Sequence, residues 1–220
     1  MEACIFDLDG VIVDTARYHY LAWKRLAAKL GFELTPEDNE RLKGVSRTQS
    51  LNIVLEIGGI DADAQEREKL AGKKNTWFNE LIAKMEPNEI FPGVKSLVAD
   101  LKKSGRKVAL ASSSKNAQLV VDRLQIRDLF QVIVDGSMIE RTKPDPEIFL
   151  LAAERLGVRP PNCLVFEDAE AGVEAALAAG MKCVGIGSPQ RLGKADLVLS
   201  SVSEFTTDLL SQLEKADQSK

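Results

Sequence analysis

The 220-residue chain has only three cysteines and a single histidine. Cys4, Cys163 and Cys183 sit in separate short apolar runs, and no two of them have CxxC spacing. That excludes a disulfide framework and a thiolate metal site, and predicts buried free thiols in a reducing compartment. No apolar run approaches the length needed to span a bilayer. No basic segment leads into a long apolar stretch and a small-residue cleavage site, so a signal peptide is not indicated and a cytoplasmic protein is expected. An excess of positive charge is also missing: 29 Lys and Arg face 33 Asp and Glu, a net charge of −4. This argues against nucleic acid or an anionic membrane as the main partner. A phosphorylated small molecule is not excluded, because it needs only a few local cations. There is no GxxxxGK[ST] loop, and Gly185-Ile186-Gly187 is too short for a dinucleotide fingerprint. Internal repeats and low-complexity tracts are absent.

What is present is a globular composition, 45% hydrophobic and 28% charged, enough for one large domain or one domain with an insert. The chain starts with a short apolar run, Ala3-Cys4-Ile5-Phe6, that reads as a buried strand. It ends in Asp7-Leu8-Asp9-Gly10, whose two acids would share a side if strand geometry persisted. Carboxylates this close repel unless a cation or proton lies between them. Residues 15–85 then read as helical throughout. His19, Trp23, Leu26 and Leu30 form one face of a first helix, which Asp14 or Thr15 can cap and Gly31 can end. A short helix follows Thr35-Pro36. Ser46 offers a cap for another helix over 48–57, and a long helix covers 63–85. Lys69 to Lys74 read as an exposed helix face. From Pro92 onward, helices and strands alternate. Strands are expected at 107–111, 132–134, 163–166 and 182–186, with a possible last one at 197–199. The tail from Lys215 is expected to fray. The pattern predicts an α/β fold, a mostly parallel sheet built from 1–14 and 86–220 and interrupted after its first strand by a helical block at 15–85.

In an open parallel sheet, ligands bind outside the carboxyl ends of the strands. That rule gathers Asp7, Asp9, the Ser112–Asn116 turn, Lys143 and Glu167-Asp168 into one place. The acids suit a hard cation such as Mg²⁺. The serine turn offers N–H groups to an anion at a helix start, and Lys143 would neutralise phosphate charge. Phosphoryl transfer fits this set, with one Asp as nucleophile and another as proton donor.

FDLDGVIVDT, SSSKN, TKPDP and FEDAEAG, in this order and spacing, resemble the haloacid dehalogenase superfamily of phosphotransferases. TARYHYLAW, LKGVSRTQS and ALASSSKN are similar to its β-phosphoglucomutase branch. The resemblance implies a Rossmann-like parallel-sheet core with an inserted helical cap. It implies conversion of β-glucose 1-phosphate to glucose 6-phosphate, with Mg²⁺ and β-glucose 1,6-bisphosphate as priming intermediate. Asp7 would be the nucleophile and Asp9 the general acid/base. Asp7, Asp9 through its carbonyl, Glu167 and Asp168 would hold the metal. Ser112 and Lys143 would grip the transferring phosphate, while Arg47, Ser114, Lys115 and Asn116 hold the other, with Ser113 in the same turn. Thr15, His19 and Lys43 would serve catalysis from the cap, where Gly44, Val45, Ser50 and Lys74 match further substrate or hinge positions. Ala169 departs from the pattern, since Ser is common there in the family.

Each feature also has a plainer explanation. The acid pair could be a solvated strand end, the serines a helix cap, Glu167-Asp168 a helix start and Lys143-Pro144 an ordinary loop. His19 could be a satisfied core or interface histidine, Trp23 hinge packing, and Lys43, Arg47 and Lys74 solvated charges. Three functions remain open: a sugar-phosphate mutase, a sugar-phosphate phosphatase of the same fold, and a non-catalytic phosphate-sensing module. A monomer is expected, since no long apolar surface stripe is left over.

Overall fold

In the computed structural model, which describes residues 1–42 and 45–218, all four residues of β1 (Ala3–Phe6) are fully buried. Two compact units follow from the chain's path. Residues Thr15–Met85 form a helical unit, and Met1–Asp14 with Glu86–Lys220 form a sheet unit.

The helical unit contains α1 (Ala16–Leu30), α2 (Pro36–Glu40), α3 (Arg47–Ile57) and α4 (Ala64–Ile82). Local chemistry sets its boundaries. Thr35 and Asp38 close a capping box on α2, and Ser46 and Gln49 do the same on α3. Asp63 accepts the Glu66 N–H at the start of α4. Gly31 ends α1 in the left-handed conformation at φ +93°. Thr15 takes the N-cap position of α1. The stripe Ala22, Trp23, Leu26, Ala27 of α1 packs against α4, whose buried positions are Lys74, Trp77, Phe78 and Ile82. These are i, i+3, i+4 and i+8, so Lys74 lies on the apolar stripe and not on an exposed face as the lysine-rich run 69–74 implied. The helix also stops at Ile82, three residues short of the expected end.

The sheet unit adds α5 (Val94–Lys103), β2 (Lys107–Ser112), α6 (Ala117–Leu124), β3 (Val132–Asp135), α7 (Glu147–Leu156) and β4 (Cys163–Glu167). It is completed by α8 (Glu170–Ala178), β5 (Lys182–Ile186), α9 (Pro189–Leu192), β6 (Leu197–Leu199) and α10 (Thr207–Gln218). The strand order is β3-β2-β1-β4-β5-β6, and every pairing is parallel. Period-2 alternation separates two cores. Ala3, Ile5, Ala109, Ala111, Cys163 and Val165 pack with α7 and α8. Cys4 and Phe6 face the other way, where Phe6 stacks on Phe166 at 4.4 Å between centroids and Phe205 meets Phe166 edge-on. The three cysteines are free and buried, and burial raises the Cys4 thiol to about 12. The C-terminal segment is helical to Gln218. In α10, Leu210 is buried and Glu214 accepts from the N-terminal amine at 2.6 Å and from Arg106 at 3.1 Å. Among the described residues no helix is long and apolar enough to cross a membrane.

Candidate active site

Strand order reverses direction between β1 and β4, the point where parallel sheets bind ligands. Phe6 pairs with Phe166, so Asp7 and Glu167 come next on the two adjacent strands. The Asp7 N–H still donates to the Phe166 carbonyl at 2.9 Å, but strand geometry ends at Phe6. The chain then folds back. The Asp9 N–H donates to Asp7 Oδ2 at 2.8 Å, and Gly10, at φ +76°, donates to the Val13 carbonyl at 2.8 Å. Asp9 therefore lies beside Asp7 because of a tight loop, not because of the strand pleat. Asp7 is buried and Asp9 partly exposed.

Lys143 reaches this point from the loop between β3 and α7, where its bond to Pro144 is cis and its Nζ lies 4.7 Å above the Phe149 ring. Nζ donates to Asp7 Oδ1 at 2.5 Å and also to Glu167 Oε1. Burial opposes the ammonium, but the Asp7 and Glu167 charges outweigh it and lift Lys143 above its ordinary range. Glu167 Oε2 accepts the Ala169 N–H at 2.8 Å, so the main chain supplies that hydrogen bond without a Ser side chain at 169. On the neighbouring strand Ser112 ends β2, fully buried, and its Oγ accepts the Ser114 N–H at 3.2 Å. Ser114 Oγ in turn accepts the Asn116 N–H at 3.2 Å, which shapes the turn that opens α6.

Four carboxylates, Asp7, Asp9, Glu167 and Asp168, thus gather around one lysine. Burial first, then Glu167, Asp9 and Asp168, pushes Asp7 well above the carboxylate range, with Lys143 pulling it down. Burial, Glu167 and Asp9 raise Asp168 to about 7. Among the described residues no three acidic, His or Cys groups converge as a formed metal centre, and the Lys143 ammonium bridges two of the acids. The donor set still suits a hard divalent cation, because its excess negative charge is all on oxygen. A cavity of about 290 Å³ reaches Asp168 from the β5–β6 side, with Gly10 and Arg191 also in its wall.

A family model for haloacid dehalogenase-like hydrolases matches residues 1–180. The chain belongs to the haloacid dehalogenase-like hydrolase family. It is 45% identical over 214 residues to the "Beta-phosphoglucomutase" of Bacillus subtilis, covering 96% of this chain and 95% of that one. A "Phosphorylated carbohydrates phosphatase" of Thermotoga maritima is 35% identical, covering 92% and 93%. Among solved structures, a β-phosphoglucomutase from Clostridium difficile superposes with a TM-score of 0.91 at 41% identity, covering all of both chains.

Within the helical unit of this haloacid dehalogenase-like chain, the predicted residues His19 and Lys74 meet. Lys74 Nζ lies 2.7 Å from His19 Nδ1 and within 5 Å of the Trp23 and Phe78 rings, and His19 stacks on Phe78 at 4.0 Å. An ammonium carries no acceptor, so a charged Lys74 donates to Nδ1 and the imidazole proton sits on Nε2. Burial, then Lys74 and Arg47, lower His19 to about 3, so the ring is neutral at physiological pH. Burial and Arg47 lower Lys74 from 10.5 to about 7. Ser50 is buried in α3, Arg47 and Val45 are exposed, and Lys43 and Gly44 lie outside the described residues. NMR titration of the Lys74 side chain is expected to give a midpoint near 7, and a midpoint near 10 contradicts this packing. Linkage fixes the sign. A buried ammonium costs folding stability, fully below pH 7, and the cost fades as pH rises toward the unfolded value of 10.5. The contribution of Lys74 to stability should therefore increase across that window.

Sequence reasoning missed Gly172. A Cβ there would stand 1.9 Å from Glu167 Cδ. Glu167 is 1% exposed and tied to Lys143 and Ala169, so it has nowhere to swing. Gly→Ala inside a helix ordinarily stabilises by about 1 kcal/mol. Gly172→Ala should instead cost about 1–3 kcal/mol by overpacking. It should also displace Glu167 and weaken divalent-cation binding; urea unfolding and Mg²⁺ titration measure the two effects. The only sequence signal was a glycine just inside a helix start.

Proposed function

We propose that this protein is a β-phosphoglucomutase-type enzyme. It interconverts β-glucose 1-phosphate and glucose 6-phosphate through phosphorylated Asp7 and β-glucose 1,6-bisphosphate. The observation that carries this is the 45% identity to the Bacillus subtilis relative, which spans nearly the whole of both chains and so includes the helical unit. The sheet-unit geometry supports the chemistry. The C6 hydroxyl of the sugar gives its proton to Asp9 and its oxygen attacks the phosphorus on Asp7, which frees the Asp7 carboxylate. With the bisphosphate turned round, Asp7 attacks the C1 phosphate. The C1–O–P link breaks at phosphorus, and Asp9 returns its proton to the departing sugar oxygen. Lys143 favours the ionised form of Asp7 against the burial that raises it and orients the carboxylate for attack, and Lys143 and Ser112 bind the transferring phosphate. Mg²⁺, held by Asp7, Glu167, Asp168 and the Asp9 carbonyl, would neutralise charge on the phosphoryl oxygens.

The Ser113–Asn116 turn is assigned to the second phosphate, with Arg47, while Thr15, His19, Lys43, Gly44, Val45, Ser50 and Lys74 are assigned to the helical unit's part in substrate selection. The resemblance supports those assignments, and the 2.7 Å His19–Lys74 contact gives the two side chains a fixed mutual position. The working unit is taken as a cytoplasmic monomer.

A phosphatase of the same chemistry is the second reading, favoured by the 35% identity to the Thermotoga maritima phosphatase. Separate assays with the α and β anomers of glucose 1-phosphate, coupled to glucose 6-phosphate oxidation, test the choice. Turnover of the β anomer alone is expected. No glucose 6-phosphate from either anomer overturns the mutase reading.

A further inference from the structure

The turn Ser112–Asn116 is shaped partly by a segment that no motif includes. Ser112 and Asp135 are paired at the ends of β2 and β3. Beyond them the β3 chain crosses the turn at very short range. A Cβ built on Gly136 would stand 2.0 Å from the Ser113 carbonyl oxygen and 3.2 Å from the Lys115 nitrogen. Both neighbours are main-chain atoms, which a rotamer change cannot move. The Gly136 N–H donates to the Ser114 carbonyl at 3.3 Å. Gly136 is not among the residues with positive φ, so the need for glycine here is close approach and not an unusual backbone angle.

Asp135 fixes this segment from below. It is 3% exposed, and its Oδ1 accepts the Ser137 N–H at 2.8 Å and the Ser137 hydroxyl. Its Oδ2 accepts from Gln118 at 3.1 Å, in the first turn of the helix that the serine turn opens. Gln118 is held in turn by Arg127. One carboxylate thus joins the strand end, the crossing loop and α6. Although burial works against its charge, the Ser137 and Gln118 hydrogen bonds and Arg155 keep Asp135 below the ordinary carboxylate range, so it accepts as an anion. Ser113 Oγ is buried without a hydrogen-bond partner among the described residues. The hydroxyl of Ser113 is thus turned inward, and the turn must present this residue to a phosphate through its main chain.

We propose that Asp135 and Gly136 are positioning residues for phosphate recognition: they clamp the main chain of Ser113–Lys115, so phosphate affinity depends on a bare Cα at 136 and a hydrogen-bond-accepting side chain of this shape at 135. This rests on the assignment of the turn to phosphate binding made above. Displacement by about an ångström at such a site costs on the order of 10²-fold. Ser112 is held by its own strand, so the loss should fall mainly on binding and not on transfer.

The test measures kcat and KM for β-glucose 1-phosphate, and the Kd for inorganic phosphate by calorimetry, in wild type, Gly136→Ala, Asp135→Ala and Asp135→Asn. Gly136→Ala and Asp135→Ala should raise KM and the phosphate Kd at least about tenfold, with kcat changing less. Asp135→Asn keeps the shape and one acceptor and should recover most of the loss. If Gly136→Ala does not fold, the Asp135 pair decides alone. A folded Gly136→Ala or Asp135→Ala protein with KM and Kd within twofold of wild type overturns the proposal, even if its melting temperature falls. Wild-type protein that binds phosphate but does not turn over the sugar defeats the mutase reading instead, and the phosphate Kd values still judge the clamp.

Discussion

Asp7→Asn is expected to give a folded protein whose turnover of β-glucose 1-phosphate is at least about 10⁴-fold slower than wild type, the scale seen when an enzyme loses its nucleophile. An amide cannot carry the phosphoryl group, so no other feature of the site compensates. The fold should tolerate the change. Asp7 is buried among three other carboxylates and its charged form is disfavoured by that burial, so a neutral isostere relieves repulsion. The cost is one oxygen facing either Lys143 or the Asp9 N–H, where the carboxylate served both. Thermal unfolding should show a melting temperature no lower than wild type. Retention of more than about a hundredth of wild-type turnover removes Asp7 from the nucleophile's role.

Lys143→Met should fail in both respects. Its ammonium bonds both Asp7 and Glu167, with its side chain about nine-tenths buried (10% exposed). Removing it leaves two buried carboxylates uncompensated, which costs roughly 3–5 kcal/mol where a buried ion pair is broken from one side. The acids respond by taking up protons, and a protonated Asp7 does not attack phosphorus. Turnover should fall by about 10³-fold or more, and the urea midpoint should fall with it. Because the remaining penalty is one of negative charge, the variant's stability should recover as pH is lowered toward 5, and more steeply than that of wild type, whose Asp7 and Asp168 are already raised by burial. A variant that loses activity without losing stability would show that the Asp7–Lys143–Glu167 contacts contribute little to the fold.

These contacts were only partly legible in the sequence. Ala3–Phe6, Lys107–Ser112, Cys163–Glu167 and Lys182–Ile186 are short apolar runs closed by polar residues, and a buried strand leaves that signature in its own residues. The rule that ligands gather at the carboxyl ends of strands places Asp7, Ser112, Lys143 and Glu167 together from the sequence alone. Strand order was not legible, because it depends on which runs pair. The sequence places the two acids on one side only if strand geometry persists past Phe6, and it is a loop closed by the Asp9 N–H that puts them side by side. For Lys74 the resemblance implies a substrate or hinge position while the lysine-rich run suggests a solvated face, and only the packing of α4 puts it on the stripe with Phe78 and Ile82. Helix α10, with its polar face and few leucines, gave too weak a period to declare itself. Gly172 and Gly136 were invisible for one reason: each is needed by a segment it approaches in space, and nothing in the neighbouring residues records that approach.

The central claim is that the phosphoryl group leaves Asp7 for a sugar hydroxyl and not for water. Phosphorus NMR of wild-type protein with Mg²⁺, β-glucose 1-phosphate and a trace of β-glucose 1,6-bisphosphate reads that choice directly. The glucose 1-phosphate signal should give way to glucose 6-phosphate with little inorganic phosphate. Inorganic phosphate growing in step with substrate loss, without glucose 6-phosphate, would contradict the account.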